Sequence, residues 1–183
     1  TTASGYWEHD LVTLTQRLAE PGQVPANGVA QRLWHVRANH VILATGSIER
    51  PMAFPHNDRP GVMLSQAVRT YIRRFGVCPG QRVVIATNND DAYLTAHALK
   101  EAGAQIVAIL DARPAPAGQE HGFTTFNNAH PSATKGSRHC LQNVSGIVDG
   151  VTKSWDADLL AVSGGFTPVV HLHCQAGGTL EWN

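Results

Sequence analysis

The chain alternates apolar and polar residues in three bursts between Gly5 and Gly46: GYWEHDLVTLTQRL, a breaker-rich PGQVPANG, and QRLWHVRANHVILATG. The alternation predicts two strands joined by a loop and then a third. In the last burst RLWHVR reads as a half-exposed strand. VILA is continuously apolar, as expected of a strand covered on both faces, and it ends at Thr45-Gly46. A proline-rich connection follows, SIERPMAFPHNDRPG. The run VMLSQAVRTYIRRFG then places Val62, Leu64, Ala67, Val68, Tyr71, Ile72 and Phe75 near helical spacing and closes on Gly76, which predicts a helix. Next come the strand RVVIAT, a helix from Asp91 to Ala102 stopped by Gly103, and the strand QIVAILDAR. ARPAPAGQEHG is too short and too rich in Pro and Gly for a second crossover helix. FTTFNNAHPSATKGSRHCLQNVSGIVDGVTKSW reads as short antiparallel strands with turns at NNAHP, KGS and VDG. DADLLAVSGGFTP is a last buried strand, ending in glycines like VILATG.

This order predicts an α/β chain. A Rossmann-like insert with a parallel sheet occupies 81–157. An antiparallel β-meander and strands of an incomplete first FAD/NAD(P)-binding-like domain occupy 1–55 and return at 158–183, and 56–80 form a linker and helix.

With 43% hydrophobic and 15% charged residues, disordered and collagen-like classes are excluded. Lys+Arg and Asp+Glu balance at 14 each, and no basic stripe is interleaved with aromatics, so nucleic acid is set aside as a partner. The longest apolar runs are of strand length, far short of the roughly 18 to 20 residues that cross a bilayer, so no membrane partner is expected. Cys78, Cys140 and Cys174 are an odd, widely spaced set without a C-x-x-C pair, which points to a reducing, cytoplasmic setting and away from a dithiol reductase. The start, TTASGYWEHD, has no initiator Met and no signal-peptide pattern, so the chain reads as a piece of something longer.

Val83 to Gly103 has the strand, turn and helix that hold a pyrophosphate in dinucleotide-binding folds, but Thr87, Asn89 and Ala92 stand where three glycines belong. Ala is accepted at the third place. Thr87 lacks the backbone freedom of the first glycine, and the Asn89 side chain stands where the phosphate would lie. A helix N-terminus carries about half a positive charge. Asp90 and Asp91 there are expected to cap the helix and repel a diphosphate. Asp111 ends the next strand, where an acid would bind a ribose hydroxyl. The whole reads as a structural Rossmann unit more than a working nucleotide site. VILATG is the alternative: a strand end whose glycine lets a cofactor approach the backbone. In HLHC, His171 and His173 would share one face of a strand, but no third ligand follows at standard spacing, so no metal site is assigned. No G-x-S-x-G elbow is present, and no catalytic residue is assigned.

The runs ATG-x-x-ERP, NDRPGVML and SGGFTPVVHLH, in this order, resemble those of the alpha subunit in bacterial heterotetrameric sarcosine oxidase, from TTASGYWEHD to LEWN. The region from Pro114 to Lys153 is shorter than that family leads one to expect. The resemblance implies an oxidoreductase that demethylates sarcosine to glycine, forms hydrogen peroxide and passes the one-carbon unit to tetrahydrofolate. It implies FAD in the beta subunit, FMN at the alpha–beta interface, and NAD in a first domain of the alpha subunit that lies largely outside this chain, its pyrophosphate held by an upstream G-x-G-x-x-G that this chain does not contain. Beta, gamma and delta subunits and the remainder of the alpha chain, including a C-terminal folate domain, are the implied partners. This chain would be a central portion serving NAD binding and scaffolding, inactive alone. Carried over by position, Ala44, Thr45 and Gly46 line the dinucleotide, Gly164 and Gly165 give a second contact, and Thr2 and Ala3 face the adenine. Two other readings stay open: a subunit of another FAD/NAD-dependent amine, opine or cyanide-forming dehydrogenase, against which NDRPGVML speaks, and a structural interaction module without nucleotide.

Overall fold

The computed structural model describes residues 1–20, 22, 23, 25, 27–114 and 122–181. The chain divides into two compact units, one of residues 1–48 and 168–183, the other of residues 49–167.

In the first unit, β1 (Thr2–Trp7), β2 (Leu11–Arg17) and β3 (Gln31–Arg37) form an antiparallel meander in the order β1-β2-β3. His9 and Asp10 take positive φ at the β1–β2 turn. Beyond β3 the expected buried strand is not formed: Val41–Gly46 has no strand assignment, and Ile42 is 91% exposed. The physical reason lies in pairing. A strand needs ladder partners for its N–H and C=O groups, and none of the described strands runs beside this segment. The chain leaves this unit within β4 (Ser47–Glu49).

The second unit is built on a parallel sheet. β5 (Val62–Leu64) leads directly into α1 (Ser65–Phe75), then come β6 (Arg82–Thr87), α2 (Asp91–Glu101), β7 (Gln105–Asp111) and the short β8 (Thr125–Phe126). The antiparallel strands β9 (Ala129–Gly136), β10 (Leu141–Val148) and β11 (Val151–Asp156) follow, and then β12 (Leu159–Ser163). The sheet order is β5-β12-β6-β7-β8, and every neighbouring pair is parallel. Val62–Leu64, expected as the first turn of a helix, is therefore strand instead. Its three apolar residues pair with Leu160–Val162, and an extended β-ladder buries them beside the sheet better than a helical start would. Gly76 ends α1 in the left-handed conformation, with its N–H donating to Ile72 O, as its place in the sequence predicts.

The continuous apolar runs of the central strands follow from burial on both faces. Val83 and Ile85 of β6 and Leu159 and Ala161 of β12 pack with Val68 of α1 and Ala92, Ala96 and Leu99 of α2. Val84, Ala86, Leu160 and Val162 face the other way, onto Leu141, Val144 and Val148 of the antiparallel layer. That layer, with ladder order β11-β10-β9, takes the place of a second helical cover. The expected absence of a crossover helix at 115–121 lies outside the described residues.

β13 (Phe166–Pro168) takes the chain back to the first unit, where α3 (His171–Gln175) follows. HLHC is thus helical rather than a strand: five residues close on backbone bonds such as Cys174 N–H to Val170 O at 2.9 Å. His171 and His173 consequently do not alternate across a sheet face. Among the described residues no group of three His, Cys, Asp or Glu is placed to hold a metal ion, and no helix is long and apolar enough to cross a membrane.

Candidate functional site

In an open parallel sheet, ligands bind at the carboxyl ends of the strands. In the second unit those ends are Leu64, Ser163, Thr87, Asp111 and Phe126, and the turn after Thr87 is closed by its own groups. The Thr87 hydroxyl accepts the Asn89 N–H at 3.0 Å and donates to Asn89 O at 2.8 Å. Asn89 Nδ2 donates to Ser163 Oγ at 3.0 Å, and Asn89 Oδ1 accepts the Asp91 N–H at 3.1 Å. Asn88 N–H donates to Ser163 O at 3.3 Å. The backbone donors of residues 88, 89 and 91, which a phosphate would need, are thus spoken for within the chain.

The two aspartates do something other than cap. Asp90, at the N-cap position, makes no side-chain cap bond; the acceptor for Asp91 N–H comes from Asn89. Asp91 instead pairs with Arg69 of α1 at 2.9 Å, and Asp90 with Arg113 at 2.8 Å. The repulsion expected of them is therefore largely neutralised, and the turn is blocked by occupancy more than by charge. Nothing in the spacing of Arg69 and Arg113 pointed to these partners, because both pairings cross between elements.

Asp111 is fully buried, yet its carboxylate is committed. It accepts from Arg113 N–H and Nε at 3.0 Å, from an Arg113 terminal nitrogen at 2.8 Å, and from Tyr93 Oη–H at 2.9 Å. Burial alone would push this carboxyl up; the bonds from Arg113 and Tyr93 outweigh it and hold it below the usual carboxylate range. Tyr93, buried and bonded to Asp111, is pushed up to about 12. The position where an acid would meet a ribose hydroxyl is filled by the chain's own guanidinium and phenol.

The glycines at the other strand end are explained locally as well. A Cβ on Gly164 would stand 2.8 Å from Pro51 O and 3.0 Å from Arg50 O. Gly165, at φ +92°, would meet the Arg50 guanidinium at 2.9 Å. Close approach at this strand end is thus made by the ERP run itself.

Thr45-Gly46, in the first unit, differs. The Thr45 hydroxyl donates to Val169 O at 2.5 Å, and Val169 N–H donates to Gly46 O at 3.0 Å, so the backbone is fixed on one side. Gly46 has φ +68°, and a Cβ added there would meet nothing within 4 Å. Ala44 and Thr45 are exposed with it. Thr2 and Ala3 lie in β1, paired with Thr15 and Leu14, and are exposed. The candidate residues therefore fall into a group in the first unit that is fixed but open, and Gly164-Gly165 in the second unit, where the chain fills the space.

The sheet order and the antiparallel cover define the class of fold: a Rossmann-like α/β unit with a parallel five-stranded sheet, an architecture shared with solved oxidoreductases. Among solved structures, L-proline dehydrogenase from P. horikoshii matches all of the chain and 30% of its own, at TM-score 0.65 and 21% identity. Thioredoxin reductase from Lactococcus lactis matches 93% of the chain and 55% of its own, at TM-score 0.61 and 17% identity. At these identities the likeness is one of fold. No family model matches the sequence. The sequence relatives are more specific. The sarcosine oxidase alpha chain of Rhizobium meliloti (strain 1021) is 38% identical over 185 residues, all of this chain and 19% of its own length. That of Corynebacterium sp. (strain U-96) is 39% identical over 197 residues, again all of this chain and 20% of its own. The chain belongs to the sarcosine oxidase alpha-subunit family and spans about a fifth of the length of the curated relatives it matches. An opine oxidase chain of Agrobacterium tumefaciens (strain Ach5) is 37% identical over only 44% of the chain.

Proposed function

We propose that this chain is the nucleotide-binding and scaffolding portion of a sarcosine oxidase alpha chain, and that NAD is held in the first unit, on Ala44, Thr45 and Gly46, rather than at the Rossmann turn of the second. The observation that carries the reading is the contrast between Gly46, whose side-chain space is open, and the turn at Thr87–Asp91, whose donors are engaged. A dinucleotide needs backbone it can approach closely, and positive φ without a Cβ supplies it. Bound there, NAD brings a nicotinamide that accepts hydride. The chain's own part is to present Thr45-Gly46, pinned by Val169, with Thr2 and Ala3 toward the adenine.

In this reading residues 1–48 and 168–183 belong to a first FAD/NAD-binding-like domain, completed by the rest of the alpha chain, and VILATG gains its missing ladder partners there; the stretch 158–167, expected in that domain, carries β12 and lies in the second unit. Gly164 and Gly165 serve the ERP run rather than the cofactor. The whole enzyme oxidises sarcosine to glycine with formation of hydrogen peroxide and transfer of the one-carbon unit to tetrahydrofolate. Beta, gamma and delta subunits, FAD and FMN lie outside these residues. Support for sarcosine over opine substrates is the extent of the matches, all of the chain against 44% of it. Three unpaired cysteines support a reducing, cytoplasmic setting.

The test is to purify the full-length alpha chain with its partner subunits, assay sarcosine-dependent peroxide formation, and identify the released nucleotide by mass spectrometry. Peroxide formation together with one NAD per alpha chain is expected. Absence of any bound nucleotide would leave only the scaffolding role, and activity on an opine but not sarcosine would overturn the substrate.

A further inference from the structure

The Glu49-Arg50-Pro51 run is strapped to the end of β12. Arg50 N–H donates to Gly165 O, and Gly164 N–H donates to Arg50 O, both at 2.8 Å. Glu49, at the inner end of the strap, is only 4% exposed. Its Oε2 accepts the Gln66 N–H, in the first turn of α1, at 2.8 Å. That helix has no acidic residue in its first turn, and its N-cap position, Leu64, offers no side-chain acceptor. Glu49 thus supplies from elsewhere in the chain the acceptor that the helix's own sequence lacks.

The other oxygen, Oε1, is buried and has no hydrogen-bond partner among the described residues. Burial disfavours the ionised carboxylate, with the Ser163 hydroxyl and the Gln66 amide opposing it, whereas a proton on the buried oxygen removes the charge. The charged groups acting on it are Asp91 from α2 and Arg69 from α1. These two form an ion pair with each other at 2.9 Å and act on Glu49 in opposite directions, Asp91 raising it and Arg69 lowering it. From β12 it faces the neutral Ser163 hydroxyl.

We propose that Glu49 is an internal proton site and the latch of the ERP strap: Oε2 caps α1, and the buried Oε1 carries a proton taken up from solvent. Burial pushes the carboxyl up, against the opposing pull of the Ser163 hydroxyl and the Gln66 amide. The sign follows. A carboxyl raised on folding contributes stability that is fully present below its unfolded value and is lost as pH rises through its folded value. The strap and the first turn of α1 therefore loosen toward alkaline pH, whether or not NAD binds at Gly46.

The experiment is hydrogen exchange, read by mass spectrometry on the peptide covering Ser65–Phe75, in the full-length alpha chain from pH 5 to pH 9 with intrinsic rates normalised. Wild type, Glu49→Gln and Glu49→Leu are compared, with the α2 peptide as internal reference. Glu49→Gln, whose amide oxygen still accepts from Gln66, should stay protected throughout. Wild type should match it at the acid end and lose at least threefold protection at the alkaline end. Glu49→Leu should lose protection at every pH. Parallel curves for wild type and Glu49→Gln would show that no proton is held and would overturn the proposal. A Glu49→Leu helix as protected as wild type would remove the cap. Should Glu49→Leu fail to fold, the wild-type and Glu49→Gln curves decide alone.

Discussion

Thr45-Gly46 and Ser163-Gly164-Gly165 look alike in the sequence, each an apolar run ending in small residues, but they differ in what occupies the space beside the glycine. At Gly46 it is open. At Gly164 the backbone carbonyls of Pro51 and Arg50 fill it, 2.8 and 3.0 Å from where a Cβ would stand. The turn after Thr87 resembles the second case. A nucleotide-binding fold can thus keep its strand ends while replacing the ligand with its own chain, as Asn89, Arg113 and Tyr93 do here. What separates an open glycine from a filled one here is the neighbouring segment, not the motif.

The filled end breaks most easily at Asp111. Asp111→Ala leaves the Arg113 guanidinium and the buried Tyr93 phenol without their shared partner. It should destabilise the 49–167 unit by about 3 kcal/mol, read as raised hydrogen exchange in β6 and β7. An effect below about 1 kcal/mol would mean that the network does not hold the turn. Next in size is Gly164→Ala, which drives a methyl into backbone that cannot swing aside, at a cost of about 2 kcal/mol in denaturant unfolding. Gly46→Ala meets nothing and should cost only the left-handed backbone penalty, about 1 kcal/mol. Equal losses at the two glycines would erase the distinction between open and filled ends. The smallest effect is acid sensitivity. Asp111 titrates below the usual carboxylate range, so its contribution is present above the unfolded value and lost as pH falls through the folded one. Asp111→Asn should therefore flatten the acid limb of the stability profile relative to wild type, and an unchanged limb would count against the Arg113 pairing.

The second unit was largely legible in the sequence. Runs such as VVIA and DLLAVS are apolar at nearly every position because both faces are covered, and Gly76 and Gly103 mark their helix ends by positive φ. Val62–Leu64 misled because three apolar residues satisfy a strand and a helical turn equally, and only pairing with β12 decides. VILATG misled in the opposite sense, since apolar content predicts burial but does not supply a neighbour. In the candidate site, Thr87 and Asn89 were recognisable as wrong for a phosphate by residue type. Arg113 on Asp111, Arg69 on Asp91 and Glu49 under α1 were not, because each joins residues that only the fold brings together.

The most direct test of where the dinucleotide sits is calorimetric titration of NAD into the full-length alpha chain stripped of nucleotide, comparing wild type, Gly46→Val and Asn89→Ala, each shown to be folded by circular dichroism. Gly46→Val should weaken NAD at least tenfold, a loss of about 1.4 kcal/mol, while Asn89→Ala stays within about twofold of wild type, well under about 1 kcal/mol. Unchanged affinity in Gly46→Val together with a large change in Asn89→Ala would place the nucleotide at the Rossmann turn of the second unit and contradict the account.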